Sequence, residues 1–227
     1  MFAKLLSRRP KIAAAPPRVP DGRRFYVVGD IHGRLDLLEG LLNRIAQDES
    51  QRGDTMGELV FLCDLIDRGP HSAQVIARLM ALAAERPSTR FILGNHEEVF
   101  LKALAGDVAA LRFFARIGGR ETILSYGVTR EAYDAADFEE LARLFAAAVP
   151  FAHRAFIESF SDMIVEGDYV FVHAGLRPAI TLAEQQQSDL RWIREDFLSA
   201  CEPFEKVVVH GHTIFDDVVT LPHRIGL

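Results

Sequence analysis

Apolar residues fall into two kinds of stretch along this chain. Short continuous runs, FYVV (25–28), LVFLC (59–63), FIL (91–93), YVFV (169–172) and VVV (207–209), are rich in β-branched and aromatic residues and stop at a glycine or a polar cluster. Such runs predict buried strands. Between them apolar residues recur at helical spacing. Residues 34–49 carry Leu35, Leu38, Leu41, Leu42 and Ile45. Residues 72–85 follow Pro70 with Val75, Ile76, Leu79, Met80 and Ala83, and Ser72 is the predicted N-cap. Strand, loop and helix alternate through Leu93, which predicts an α/β fold with a largely parallel sheet core.

Residues 97–160 differ. Ala, Leu, Phe, Arg and Glu recur there at helical spacing, with breaks near Gly118-Gly119, Gly127 and Pro150. A helical insertion beside the strand ends is expected, shaping substrate access. Phe113, Phe114, Phe145, Phe151, Phe156 and Phe160 are expected to pack it. A helical segment near 190–201 separates the last two strands. The chain reads as one domain over 23–227, after a flexible N-terminal tail over 1–22 that is basic and rich in Pro and Ala. A sharper reading makes residues 1–9 a short basic anchor.

Composition narrows the partners. A net charge of −6 gives no basic footprint for nucleic acid. It leaves room for a phosphate substrate, because a bound metal can outweigh the average charge. Two cysteines make no disulfide framework and suggest a cytoplasmic protein. No run approaches the ~20 apolar residues of a transmembrane helix.

The predicted strands each run into metal-binding residue types, and ligands in α/β sheets bind at the carboxyl ends of strands. Asp30 and His32, spaced D-x-H, can share one ion. Asp64 can bridge two ions, with Asn95, His173 and His212 completing the second. Mixed oxygen and imidazole ligands favour Mn, Fe or Zn. Arg68 and Arg194 can hold phosphate oxygens. His96 can protonate a leaving oxygen, oriented by Asp67. Asp36, Glu97 and Glu98 are expected to cap helices.

In this order, GDIHG (29–33), D-x-x-DRG (64–69), GNHE (94–97), HAG (173–175) and HGHT (210–213) resemble the metallophosphoesterase superfamily. More narrowly they are similar to bacterial and phage phosphoprotein phosphatases, in the calcineurin-like serine/threonine phosphatase family. GGRETILSYG (118–127), FVHAGLRP (171–178) and DLRWIREDFL (189–198) look like that branch too. The resemblance implies a sandwich of two mixed β-sheets flanked by helices, with a dinuclear metal site at the sheet edge. It puts Asp30, His32 and Asp64 on one ion and Asp64, Asn95, His173 and His212 on the other. Arg68 and Arg194 then hold phosphate, His96 with Asp67 is the acid pair, and His210 stays outside the metal set. The implied cofactor is two divalent ions, manganese first, with iron or zinc as alternatives.

The implied activity is hydrolysis of phosphoric monoesters by direct attack of a metal-bridged hydroxide on phosphorus, with a phosphoprotein or phosphopeptide as substrate. Symmetrical hydrolysis of diadenosine tetraphosphate, a dinucleoside polyphosphate, is the alternative. Asp67 tilts the reading towards phosphoprotein, because that position is often not Asp in the dinucleotide group. A third reading is a truncated, catalytically weak binding protein. Three departures from the family pattern motivate it. Cys63 stands where glycine is usual, and Leu93 where many relatives have Arg. The chain also stops at residues 224–227, before the segment resembling D-T-G-A with which relatives continue, so C-terminal strands are expected to be missing.

Overall fold

The computed structural model describes residues 16–53 and 56–227. The proposed anchor at 1–9 and most of the tail lie outside the described residues. Within 16–22, the Arg18 N–H donates to Asp168 Oδ2 at 2.9 Å, and Arg18 O accepts the Asp168 N–H at 2.9 Å.

Strands β1 (Phe25–Val28), β2 (Glu58–Phe61) and β3 (Arg90–Phe91) form a parallel three-stranded sheet in the order β1-β2-β3. A second, mixed sheet has the order β4-β5-β6-β8-β7, from β4 (Met163–Glu166), β5 (Tyr169–Val172), β6 (Val207–His210), β7 (Val219–Thr220) and β8 (Arg224–Gly226). The first sheet is thus wholly parallel and only the second is mixed. The sequence pattern did not predict β4, β7 or β8. The two C-terminal strands are two and three residues long and order themselves by pairing beyond β6.

Alternation of side chains explains the continuous apolar runs. Leu59, Phe61 and Cys63 face the helices α1 (Leu35–Gln51) and α2 (Ser72–Glu85), while Val60 and Leu62 meet Ile164, Phe171 and Val209 between the sheets. Val170, Val172 and Val208 pack outward on Leu190 and Phe197 of the short helices α9 (Gln187–Trp192) and α10 (Glu195–Leu198). Strands buried on both faces leave no position for a polar residue until they end.

Between β3 and β4 lie α3 (Asn95–Leu104), α4 (Val108–Phe114), a wide turn over Ala115–Gly119, α5 (Arg120–Ser125), α6 (Arg130–Ala135), α7 (Phe138–Ala148) and α8 (Phe151–Glu158). Asp107, Thr129 and Asp137 cap α4, α6 and α7 by accepting the N–H groups of Ala110, Ala132 and Glu140. Phe100, Phe114 and Phe145 form the centre, with ring centroids 5.5 to 6.0 Å apart. Phe151 does not pack here, since it opens α8 and is 81% exposed. Among the described residues no helix is long and apolar enough to cross a membrane.

Candidate active site

The residues after β1, β2, β3, β5 and β6 converge on one rim, where the carboxyl ends of both sheets meet. Backbone strain collects there. His32, Cys63, Asp64, Asp67, Arg68 and His212 have left-handed φ values of 46°, 69°, 51°, 72°, 65° and 62°, and only one other described non-glycine residue does. Such residues persist when their surroundings over-determine them. The Ile31 and His32 N–H groups both donate to Asp64 O, at 3.0 and 2.8 Å, which ties the first loop to the second. Glu97, wholly buried, accepts the Asp64 and Leu65 N–H groups at 3.1 and 2.8 Å. It caps no helix end; it holds the loop that carries Asp64. Gly94 makes room for that carboxylate, since a Cβ there would lie 2.4 Å from Asp64 Oδ1.

Asp64 sits between two groups of ligand atoms. His32, Asp64 and His96 form one set with all ligand atoms within 4.8 Å, and Asp64, His173 and His212 form another. His32 Nε2 lies 3.8 Å from Asp30 Oδ2 and 3.9 Å from Asp64 Oδ2. His173 Nε2 lies 2.9 Å from Asn95 Oδ1, 3.1 Å from His212 Nδ1 and 3.5 Å from Asp64 Oδ2. Asp30 Oδ1 accepts the His212 N–H at 3.2 Å and so joins the rims of the two sheets.

The donor set fits divalent metal ions. His32 Nδ1 lies 2.8 Å from Ile66 O and His173 Nδ1 lies 2.7 Å from Leu62 O, so each Nδ1–H donates to a carbonyl and leaves a bare lone pair on Nε2. His32 Nε2 is buried with no hydrogen-bond partner. His173 Nε2 looks onto the oxygens of Asn95 and Asp64. Lone pairs aimed at one another call for a cation between them. The electrostatics agree in direction. Burial, and next the charge of Asp30, push the Asp64 carboxyl well above its ordinary range. Burial lowers His32 to about 4 and, with His173 beside it, His212 to about 2.

Beside this cluster His96 Nδ1 meets Asp67 Oδ2 at 2.5 Å, in full burial. Burial pushes Asp67 up and His96 down, to about 3; the short contact needs a proton between Nδ1 and Oδ2, and His96 Nε2 faces the rim, 3.8 Å from Asp64 Oδ2. Arg68 is exposed, its Nη2 3.4 Å from His96 Nε2. Arg194, also exposed, donates from Nε to His212 Nε2 at 3.0 Å. The rim therefore brings together all ten residues singled out from the sequence: Asp30, His32, Asp64, Asp67, Arg68, Asn95, His96, His173, Arg194 and His212. His210 turns away, its ring 4.8 Å from that of Phe197.

Sequence reasoning missed Glu97, Ser72 and Thr122. Ser72 is no N-cap; it is the first helical residue, and its Oγ accepts the Asp67 N–H at 3.1 Å. Glu97 left a signal, as an acid three and seven residues before Phe100 and Leu104 on a buried helix face. Position 63 needs left-handed backbone, which explains the usual glycine. The Cys63 thiol is buried, and burial raises its pKa well above the ordinary value, so it is not a reactive thiol.

The calcineurin-like phosphoesterase family matches residues 23–221. The asymmetrical bis(5'-nucleosyl)-tetraphosphatase PrpE of Bacillus velezensis is 26% identical over 83% of this chain and 77% of its own length. The symmetrical bis(5'-nucleosyl)-tetraphosphatase of Dechloromonas aromatica is 30% identical over 71% of this chain, which spans about half of it, 47%. A crystal structure of a candidate diadenosine tetraphosphatase shares the fold, with a TM-score of 0.60 over 93% of this chain and 86% of that chain at 21% identity.

Proposed function

We propose that this chain, which belongs to the calcineurin-like phosphoesterase family, hydrolyses dinucleoside polyphosphates with the aid of two divalent metal ions at the rim. The observation that carries the substrate is the similarity to bis(5'-nucleosyl)-tetraphosphatases over 71–83% of the chain. This inverts the order of the two readings drawn from the motifs. Asp30, His32 and Asp64 would hold one ion, and Asp64, Asn95, His173 and His212 the other. Such ions neutralise phosphoryl charge and acidify water.

The chain's own residues do the rest. Arg68, beside His96, and Arg194, beside His212, are both exposed, where they can orient a polyanion with bidentate contacts. His96 can give a proton to the leaving oxygen only from Nε2, with Nδ1–H held by Asp67, so the doubly protonated ring is the acid form. A nucleotide phosphate departs without that proton, whereas a serine alkoxide needs it. The buried Asp67–His96 pair thus favours the second reading, a serine/threonine phosphatase.

Initial rates on diadenosine tetraphosphate and a phosphoserine peptide, with manganese(II) and Asp64→Asn as control, test the two. A kcat/KM at least about 10-fold higher on the dinucleotide, a gap of about 1.4 kcal/mol, is expected. The reverse preference overturns the reading in favour of the second. Two nucleoside diphosphates as products mean symmetrical cleavage; a triphosphate and a monophosphate mean asymmetrical cleavage.

A further inference from the structure

Beyond His96 at the start of α3, the helices between β3 and β4 touch the turn at Asp67–Arg68 through Gly118 and Thr122. That turn is strained, with consecutive φ values of 72° and 65°, and needs outside support to persist. Gly118 O accepts the Arg68 N–H at 3.1 Å. The approach is so close that a Cβ on Gly118, itself at φ 115°, would lie 2.9 Å from Arg68 N. Thr122, wholly buried, supplies the polar contacts. Its Oγ1 accepts the Asp67 N–H at 2.9 Å and donates to Asp67 Oδ1 at 2.6 Å, and it lies 2.9 Å from Ser72 Oγ. A hydroxyl has one proton and two lone pairs, so these three contacts saturate it. Asp67 Oδ2 is left for His96 Nδ1, at 2.5 Å. Each carboxyl oxygen of Asp67 therefore has its own partner, and the carboxyl plane cannot rotate without breaking a buried hydrogen bond.

We propose that Thr122 is a positioning residue for leaving-group protonation: its hydroxyl fixes the Asp67 carboxyl, and through it the His96 ring. The inference rests on reading His96 as the acid. It gives the helical segment a second task beside shaping access, since the segment supplies a member of the chain Thr122–Asp67–His96. An acid acts only when its proton lies within hydrogen-bond reach of the leaving oxygen. A ring free to swing on an unfixed carboxylate loses that geometry.

The test is a series of aryl phosphates, from 4-nitrophenyl to phenyl phosphate, hydrolysed with manganese(II). Thr122→Val keeps the shape and removes the hydroxyl. It is expected to lose about 10-fold or more in kcat/KM on phenyl phosphate, whose leaving group needs a proton, and under about 3-fold on 4-nitrophenyl phosphate, whose leaving group does not. Thr122→Ser should restore the wild-type slope against leaving-group acidity. Thr122→Ala, the second variant should Val fail to fold, must show the same steepening. Equal losses across the series mean a merely structural role and overturn the proposal.

Ser125→Ala is the packing control. Ser125 Oγ accepts the Ala73 N–H at 3.1 Å, joining the same two helices without touching Asp67. Its slope should match wild type, and a steepening there assigns the effect to packing and overturns the proposal. Asp67→Asn and His96→Asn read the premise. If neither steepens the slope, His96 is not the acid, and that premise and the role of Thr122 fall together. If they do and Thr122→Val does not, only the role of Thr122 is overturned.

Discussion

Charged side chains gather at both ends of the paired sheets, and the two gatherings are built in opposite ways. At the amino-terminal ends of β1, β2 and β3, Arg23 and Arg90 meet Glu58 and Glu166. Arg23 Nε lies 2.5 Å from Glu58 Oε1, Arg90 Nη1 lies 2.7 Å from Glu166 Oε1, and Arg23 also donates to Glu166. Burial pushes Glu166 up, but the bonds from Arg23 and Arg90 pull its pKa below the ordinary range. At the carboxyl-terminal ends Asp30, Asp64, Asp67 and Glu97 crowd among histidines instead. Burial, with Asp64 next, raises Glu97 to about 8. Asp64 and Asp67 move the same way. The first end has its countercharges built in and works for the fold. Among the described residues no Arg or Lys forms a salt bridge with the carboxylates of the second, so the ionised Asp64 works against the fold until a cation arrives.

Asp64→Asn is the strongest way to break this contrast. It should lower turnover with manganese(II) by at least about 10³-fold, several kcal/mol of transition-state stabilisation. Initial rates measure it. Near-normal turnover would mean that the rim carboxylates are not the metal ligands.

Metal removal comes next. Manganese(II) at a hundred times its dissociation constant should stabilise the wild type by about 2.7 kcal/mol, and a chelator should reverse the gain. The rise in melting temperature should vanish in Asp64→Asn and persist in Glu166→Gln. A rise of equal size in all three would place the binding elsewhere.

Without metal the two ends should answer neutralisation with opposite signs. The folded-state pKa of Asp64 is raised, so above the unfolded value near 4 its charge destabilises the fold. Asp64→Asn should therefore gain stability at pH 7 in chelator. The pKa of Glu166 is lowered, so its contribution is present above the unfolded value and lost as pH falls through the folded one. Glu166→Gln should lose a little stability at pH 7 and none at low pH. Urea denaturation of the two variants decides, and the same sign for both would remove the comparison.

The smallest effect is expected at Cys63. At φ 69° an L side chain carries strain of about 1–2 kcal/mol that glycine lacks, offset by lost packing and a freer unfolded chain. Cys63→Gly should keep or raise turnover, with stability within about 1 kcal/mol of wild type. A large loss of turnover would give the thiol a positive role.

Much of this was legible in the residues alone. Strands buried on both faces must be continuously apolar, so β1, β2, β5 and β6 announced themselves, and the first polar residues beyond them are those of the rim. Helix α2 begins at Ser72 and ends at Glu85, the limits its periodicity set. Short β7 and β8 left no pattern, because the pairing of β8 with β6 and of β7 with β8 orders them rather than their own composition. Ser72 and Glu97 were read as helix caps because caps are what such residues do locally. Both instead hold backbone of the loop after β2, from 5 and 32–33 residues away.

Residue type, spacing and motif order by themselves determined the family resemblance, the main strands and the side chains that carry chemistry, because these are properties of adjacent positions. Only the tertiary structure decided which of them share a proton, which carboxylates stay without a countercharge, and which hydroxyl steadies the acid pair. Those partners lie 29 residues apart for His96 and Asp67, 55 for Thr122 and Asp67, and 78 for His173 and Asn95. A hydrogen bond or a lone pair responds to distance in space, and no periodicity along the chain records it.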